Sequence, residues 1–418
     1  MRFPRVLKVR QSFDTAHITN IPGQVAEEMT RLGIESRIKS GDTVAVTAGS
    51  RGVANIALII KSVVQELQRR GAHPYVIPAM GSHGGATGEG QRAVLEYYGI
   101  TESSMGVPIK ATMETTLVGE TRQGIPVFVD NNALLADHIA VVNRIKPHTD
   151  FDGDIESGLT KMMAIGLGKH TGAMHYHRAN IKYGYYSVIT NVAAVVKQKC
   201  KILFGLGVVE NAYEQTALIE GILPAEIETR EKRLLQIAKS SLARIPFDQG
   251  DVLVVDEMGK NISGAGMDTN VIGRTVSQRE RSPLKPSFTR IFVRDLSQET
   301  HGNAVGVGLA DLVTRRLVEK IDYKPTYINA ITSTNVEAAR IPVTFDTDRE
   351  ALETAILTSG ASNAQACRMV WVKNTLKLDQ FIASEALLGE IESKENLKIL
   401  EDLGELSFTE HGNLTNLL

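Results

Sequence analysis

The feature that most constrains this chain is a repeated pattern in which a short β-rich apolar run ends in a polar or glycine-rich loop. Helical patterns separate these runs, as in residues 53–72 after the first loop. Strands that alternate with helices predict an α/β fold with largely parallel sheets. In such folds ligands bind outside the carboxyl ends of the strands, so we expect the loops to converge on one site. The runs are Asp42–Ala48, His73–Ala79, His138–Ile145, Lys201–Phe204 with Leu206–Val209, and Asp251–Val255.

The length of 418 residues predicts two domains, because a single hydrophobic core rarely serves so long a chain. A charged helical pattern ends near residues 240–250, and a new strand follows it. We therefore expect an N-terminal α/β domain at 1–247 and a C-terminal α/β domain at 248–395. Residues 396–418 are expected to form a helix and tail that pack back on the first domain. The active site is expected in the cleft between the two domains.

The composition excludes several classes of protein. A net charge of -2 gives no basic footprint, so nucleic acid is not an expected partner. Two cysteines cannot build a disulfide framework, which fits a reducing cytoplasm. No apolar run is long enough for a membrane helix, and the N-terminal residues lack the apolar core of a secretory signal. We expect a cytoplasmic protein without a membrane partner, and no sequence pattern indicates its oligomeric state.

Three of the loops carry residues suited to catalysis or anion binding. Ser50 and Arg51 lie between a strand and a helix, where backbone N–H groups and a guanidinium favour an anion. His83 stands among glycines, and His148 follows Pro147 at the end of another run. Histidine is the usual general base near neutral pH. The alternative is that all three are ordinary surface loops.

The stretch from residue 150 to residue 161 combines acidic groups with a lysine motif. The run Asp150–Glu156 resembles the start of a calcium loop, but its glycine is misplaced and the twelfth-position glutamate is missing. A solvated acidic loop is the simpler interpretation, with a looser divalent-cation site as the alternative. Ser157 is expected to cap a short or broken helix, with Gly158 next to it. Lys161 then suits a nucleophile or covalent anchor, unless it is an ordinary surface lysine.

The histidines that follow are candidate metal ligands. His170, His175 and His177 are neutral imidazole donors of the kind that binds zinc, copper, iron or nickel. On a helix, His175 and His177 diverge, so only one of them can face a site. In the second domain, Lys260 and Asn261 lie in a glycine-rich loop that suits an anionic ligand.

Taken together, these motifs resemble the nickel-pincer lactate racemase family over most of the chain, most clearly from Gly41 to His177. The family pattern has an arginine loop, a Gly-x-His loop, a Pro-His loop, a Ser-Gly-x-x-Lys motif and a later histidine. In this chain the corresponding residues are Arg51, His83, Pro147–His148, Ser157–Lys161 and His177.

The resemblance implies a nickel-pincer nucleotide, the nickel complex of pyridinium-3,5-bisthiocarboxylic acid mononucleotide. Lys161 would hold it through a thioamide bond and His177 would bind nickel, while Ser50, Arg51, Ser157 and Gly158 would contact the cofactor. His83 and His148 would be the acid/base pair, and Arg51, Lys260 and Asn261 would bind substrate. The implied activity is racemisation or epimerisation of a 2-hydroxy acid by reversible hydride transfer. Proteins of cofactor biosynthesis are expected partners by the same resemblance.

Departures from the family pattern bear on the substrate. The acidic loop before Lys161 is longer, and the arginine turn lacks an acidic residue and a following proline. A lactate-like acid, a hydroxy-diacid or a sugar acid therefore all remain candidates. Two other functions stay open: a divalent-metal-dependent hydrolase or lyase that uses the same histidines, and a non-catalytic cofactor-binding protein.

Overall fold

The computed structural model describes residues 2–50, 52–276 and 284–418, and the fold is α/β with largely parallel sheets. The strands in chain order are β1 (Arg5–Gln11), β2 (Thr43–Ala48), β3 (His73–Pro78), β4 (Thr115–Glu120), β5 (Pro126–Asp130), β6 (His138–Arg144), β7 (Ile202–Glu210), β8 (Thr216–Ile222), β9 (Gln249–Met258), β10 (Ser287–Leu296), β11 (Leu312–Thr314), β12 (Val343–Phe345), β13 (Met369–Val372), β14 (Gln380–Ser384) and β15 (Leu397–Glu405).

The helices lie mostly between consecutive strands, as the alternating pattern predicts. In chain order they are α1 (Ile21–Arg31), α2 (Ile56–Arg69), α3 (Gly88–Tyr97), α4 (Glu102–Met105), α5 (Asn131–Leu134), α6 (Leu159–Lys161), α7 (Leu167–Tyr183), α8 (Tyr185–Lys199), α9 (Ile227–Ser241), α10 (Thr269–Ile272), α11 (Arg315–Glu319), α12 (Tyr323–Thr332), α13 (Asp348–Thr358) and α14 (Leu388–Glu392). None of the helices in the described residues is long and apolar enough to cross a lipid bilayer.

The chain divides into two compact units at boundaries that differ from the expected ones. One unit is Thr15–Leu242, and the other joins Met1–Asp14 to Ala243–Leu418. The N-terminal segment belongs to the second unit because β1 pairs with β14 and β15. Residues 397–405 form strand β15 rather than a helix, and this strand adds to the sheet of the second unit.

The unit of residues 15–242 is built on a five-stranded sheet in the order β3-β2-β6-β7-β8. The first four strands are parallel and β8 is antiparallel. Strands β2 and β6 are buried along most of their length, because helices cover both faces of a parallel sheet. Helix α2 places its apolar residues at helical spacing against this sheet, so its core-facing side is fully buried. A separate hairpin pairs β4 with β5.

The other unit contains an eight-stranded sheet in the order β12-β11-β10-β9-β13-β14-β1-β15. The strands from β12 to β13 are parallel, and β14, β1 and β15 extend the sheet in antiparallel fashion. Trp371 on β13 is fully buried in its core, and its indole N–H donates to Asp256 Oδ1 at 2.6 Å.

The helix predicted to be short or broken after Gly158 is irregular. Helix α6 is followed by a π-helical turn over Met162–Gly166, and α7 begins with a kink at Lys169, whose φ is +54°. At Gly166 a Cβ atom would lie 2.8 Å from the carbonyl oxygen of Ala79, so only glycine lets this turn approach the end of β3. The irregular segment thereby reaches the carboxyl edge of the sheet.

Candidate active site

A single pocket at the carboxyl edge of the five-stranded sheet collects most of the predicted residues of this unit. The loops after β2, β3 and β6 form three of its sides, and the α6 segment forms the fourth. Its lining residues are Gly49, Ser50, Val53, Ile56, Ala79, Met80, His83, Asn143, Arg144, Lys146, Pro147, His148, Thr149, Ser157, Lys161, Met162, Ile165 and Gly166.

Two of the predicted residues, His148 and Lys161, are in direct contact. The Nζ atom of Lys161 lies 2.5 Å from Nε2 of His148. The backbone N–H of Asp150 donates to Nδ1 of the same imidazole at 3.0 Å. The ring also packs against Phe151, with the ring centroids 4.6 Å apart. Both ring nitrogens and one ring face are therefore engaged, which fixes the orientation of this imidazole.

The acidic loop is only partly solvated, in contrast to the expectation. Glu156 has a fully buried carboxylate that accepts the backbone N–H of His148 at 2.7 Å and that of Gly153 at 3.1 Å. Lys239 on α9 pairs with it at 2.5 Å. Asp154, by contrast, is 70% exposed and pairs with Lys232 at 3.3 Å. The loop is therefore not a plain solvated segment, because its buried Glu156 holds the backbone of His148.

The start of α6 is held by a glutamate that the sequence interpretation missed. Glu231 on α9 accepts the backbone N–H of Thr160 at 3.0 Å and its hydroxyl at 2.5 Å. Ser157, expected to be the helix cap, instead accepts the backbone N–H of Lys146 through its carbonyl at 2.9 Å. Gly158 stands at the cap position, where a Cβ would lie 2.0 Å from Glu231 Oε1. Only glycine fits at this position in the Ser-Gly-x-x-Lys motif.

Burial raises the pKa of Glu231 to about 7, and its hydrogen bonds to Thr160 oppose that rise. A signal for this residue exists in the sequence. Glu231 follows Ile227 by four residues and precedes Leu234 and Leu235 by three and four, on the buried face of α9. A glutamate within an apolar helical stripe requires a buried partner, which identifies it as a candidate.

His177 lies beside the His148 cluster and is suited to metal binding. Its Nδ1 lies 2.8 Å from the hydroxyl of Tyr185, a residue whose ring centroid is 5.9 Å from that of His148. Burial, with a smaller contribution from the charge of Lys161, lowers the pKa of His177 to about 4. The imidazole is therefore neutral at physiological pH, and Nε2 is the nitrogen left for a metal.

The other two histidines of this stretch do not join the cluster. As expected for a helix, His175 diverges from His177: it is exposed and stacks on Phe128 with ring centroids 5.2 Å apart. His170 is partly buried, and its Nδ1 has no hydrogen-bond partner among the described residues. Within residues 2–50, 52–276 and 284–418, no group of three or more His, Cys, Asp or Glu side chains is arranged to hold a metal ion.

His83 lines the same pocket and is supported by a buried network. Gln91 donates to the carbonyl oxygens of Gly81 at 2.8 Å and His83 at 3.3 Å. Lys169 donates to Gln91 Oε1 at 2.8 Å and lies 3.0 Å from Asp130 Oδ2. Burial lowers the pKa of Lys169 and raises that of Asp130, although each attracts the charge of the other. Gln91, Lys169 and Asp130 were not predicted as site residues, since nothing in their spacing marks them as buried.

The remaining candidates divide between the two units. Ser50 and Ser157 line the pocket, whereas Arg51 lies outside the described residues. Lys260 and Asn261 lie in the unit that contains residues 243–418. There, Lys260 Nζ donates to the carbonyl of Gly264 at 3.2 Å, and Asn261 Oδ1 accepts the Ser297 hydroxyl at 2.7 Å.

The fold and the pocket define an α/β protein with a histidine–lysine pocket at the carboxyl edge of a parallel sheet. Residues 27–185 match the family described as lactate racemase N-terminal domain. The matched segment contains His83, His148, Lys161 and His177.

The chain is similar to the lactate racemase apoprotein from Thermoanaerobacterium thermosaccharolyticum, with 13% sequence identity and a TM-score of 0.47. The match covers 93% of this chain and 92% of that one. No curated protein matches the chain.

Proposed function

We propose that this protein is an isomerase that racemises or epimerises a 2-hydroxy acid with a nickel-pincer nucleotide. The observation that carries the proposal is the contact of Lys161 Nζ with His148 Nε2 at 2.5 Å in a pocket that His83 also lines. A lysine amine and two histidines in one pocket supply an anchor and two acid/base groups. All three lie in the segment that matches the lactate racemase N-terminal domain.

The residues present fit such a cofactor. Lys161 presents its amine to the pocket, where it would form the thioamide bond, and Ser50 and Ser157 bring hydroxyl groups for the nucleotide. His177 would be a single protein ligand to nickel, and its lowered pKa keeps the imidazole available as a neutral donor. One protein ligand would suffice, because the pincer would supply the other donor atoms. When bound, the cofactor would accept the hydride of the substrate carbinol carbon and return it.

The two histidines would move the proton of the substrate hydroxyl group. Nε2 of His148 faces Lys161 Nζ. Once that amine carried the cofactor it would no longer compete for Nε2, which would then exchange the proton of the substrate hydroxyl group. His83 would serve the opposite face of the substrate, because a racemase needs a base for each enantiomer. The Gln91 contacts to the His83 loop would keep that base in place.

The pocket also offers positive charge for a substrate carboxylate. Lys146 lines it, and Arg144 lines it while paired with Glu210. We propose Arg51, Lys260 and Asn261 as further substrate contacts, with Arg51 and Gly158 also beside the cofactor. The departures of this sequence from the family pattern favour a polar acid, such as a hydroxy-diacid or a sugar acid, alongside lactate-like acids.

The test begins with protein made in a host that also produces the cofactor-biosynthesis proteins. Mass spectrometry should detect an adduct on Lys161 together with nickel. A panel of 2-hydroxy and sugar acids, each deuterated at the carbinol carbon, then reports the reaction type. Hydride return predicts that the inverted product keeps its deuterium, whereas α-proton abstraction predicts loss to water. An adduct with no turnover of any acid would indicate a binding protein, and a free divalent metal with hydrolysis or elimination would indicate the other enzyme class.

A further inference from the structure

Helix α9 contacts both reactive segments of the pocket through two side chains eight residues apart. Glu231 reaches the start of α6, and Lys239 reaches the acidic loop. Eight residues span about 12 Å along a helix, which matches two separate attachment points. The apolar residues Leu234, Leu235 and Ala238 bury the same side of α9 in the core of the unit. The helix is thus a rigid support for both segments.

The first attachment leads to His148. Lys239 pairs at 2.5 Å with the fully buried Glu156, and Glu156 accepts the backbone N–H of His148 at 2.7 Å. A buried carboxylate without its cation is costly, so the position of Glu156 depends on Lys239. Because Glu156 binds the backbone of His148 directly, the position of Glu156 determines the position of the His148 side chain.

The second attachment leads to Lys161. Glu231 binds both the backbone N–H and the hydroxyl of Thr160, the residue before Lys161. Two hydrogen bonds to one residue fix both its position and its rotation about the helix axis. The absence of a side chain at Gly158 allows the carboxylate to approach this closely.

We infer that Glu231 and Lys239 of α9 are positioning residues that together hold Lys161 and His148 in contact across the pocket. Neither needs to touch cofactor or substrate: one acts through Thr160 and the other through Glu156. The catalytic meaning of the arrangement rests on the proposed function, but the contact itself is made by two side chains of this chain alone. It can therefore be tested without turnover.

The experiment measures how strongly His148 influences the amine of Lys161 in the unloaded, full-length protein. Competitive labelling with acetic anhydride and mass spectrometry gives the labelling rate of Lys161. The substitution His148→Phe should change that rate in the wild-type background, since the two side chains are in contact. In the Lys239→Met background, the change in the Lys161 labelling rate caused by His148→Phe should be at least about threefold smaller, because the acidic loop no longer keeps His148 beside Lys161. Lys239→Arg should restore it.

Lys232→Met is the matched control. Lys232 lies on the same helix and pairs with the same loop, but through the exposed Asp154. The effect of His148→Phe should therefore be unchanged in this background. If Lys232→Met weakens it as much as Lys239→Met does, or if folded Lys239→Met leaves it intact, the inference for Lys239 is overturned.

A second pair of variants tests Glu231 and decides the matter if Lys239→Met does not fold. Thr160→Val removes the hydroxyl bound by Glu231 at nearly constant volume, whereas Thr160→Ser keeps it. The change in the Lys161 labelling rate caused by His148→Phe should be smaller in the valine variant and unchanged in the serine variant. Circular dichroism should show that both proteins are folded. Equal effects in the two variants would overturn the inference for Glu231. None of these results depends on cofactor loading, so they remain separate from any failure of the isomerase proposal.

Discussion

The amine of Lys161 lies 2.5 Å from Nε2 of His148, although Lys161 follows His148 by thirteen positions in the chain. The backbone N–H of Asp150 already donates to Nδ1 of that ring. With Nδ1 occupied as an acceptor, Nε2 is the ring nitrogen of His148 that faces the lysine. This places a lysine suited to covalent attachment directly beside a histidine suited to proton transfer.

The first prediction concerns the anchoring of the cofactor. Lys161→Met should lose the mass adduct expected on protein from a cofactor-producing host, because methionine has no amine to acylate. Lys146→Met is a matched control, since Lys146 lines the same pocket and should leave the adduct in place. Intact-mass spectrometry with peptide mapping checks both. An adduct that persists in Lys161→Met would move the attachment to another residue.

The second prediction concerns the two proposed bases. His83→Ala and His148→Ala should each lower kcat for isomerisation by about 10²–10⁴-fold, the usual contribution of a general acid or base. Both variants should keep the adduct on Lys161, which separates loss of chemistry from loss of cofactor. His175→Ala, a change at the exposed histidine of α7, should leave kcat unchanged. Full activity in either base variant would contradict the two-base mechanism.

The alternating pattern predicted the parts of the fold that depend on local sequence. Strands β2, β3 and β6 lie where their apolar runs predicted them, and the loops after them bring His83, His148 and Lys161 to one pocket. That convergence follows from parallel strands, whose carboxyl ends share one edge of the sheet.

The contacts that local sequence does not encode were not predictable. Strand β1 pairs Val6 with Ser384, and no local pattern encodes a partner so distant in the chain. Glu231 and Lys239 support the pocket from helix α9, which lies about seventy residues beyond Lys161. No motif links residues so far apart in the sequence. The apolar stripe of α9 marks Glu231 as buried, but only the packed structure identifies Thr160 as its partner.

The third prediction tests the glycine of the lysine motif. Gly158→Ala should lower the free energy of unfolding by about 1–3 kcal/mol, the usual cost of overpacking a filled site. The new Cβ would lie 2.0 Å from Glu231 Oε1 and 2.9 Å from Ile145 Cγ1. Gly52→Ala is the control, because its nearest contact is Tyr98 Cε1 at an ordinary 3.5 Å. Urea denaturation followed by far-UV circular dichroism measures both, and equal costs would contradict the steric argument.

The fourth prediction concerns the buried pair beneath the His83 loop. Lys169→Met should lower the free energy of unfolding by about 3–5 kcal/mol, because it leaves the carboxylate of Asp130 buried without its cation. Both side chains are fully buried in the pair. Adding Asp130→Asn should recover part of that loss, since the uncompensated charge is then removed. A double-mutant cycle from urea denaturation gives the coupling energy, and strictly additive costs would show that the pair is not coupled.

The last prediction is that the folding stability depends on pH because of Glu231. Burial raises the pKa of this carboxyl from its ordinary value of 4.5 to about 7 in the folded protein. The folded state therefore holds this proton more tightly than the unfolded state does. The resulting stability is fully present below about pH 4.5 and is lost as the pH rises through about 7. For Glu231 alone the loss is on the order of 3 kcal/mol.

Glu231→Gln should remove this slope, because an amide does not titrate in that range. Hydrogen exchange of peptides from β6 is the suitable measurement, since the single tryptophan of the chain, Trp371, lies in the other unit. After correction for intrinsic exchange, the protection of β6 amides against exchange should fall between pH 5 and pH 8. This fall should be larger in the wild type than in Glu231→Gln. Glu228→Gln alters an exposed glutamate of the same helix and should keep the wild-type slope. Identical slopes in wild type and Glu231→Gln would mean that burial of this carboxyl does not penalise its charge.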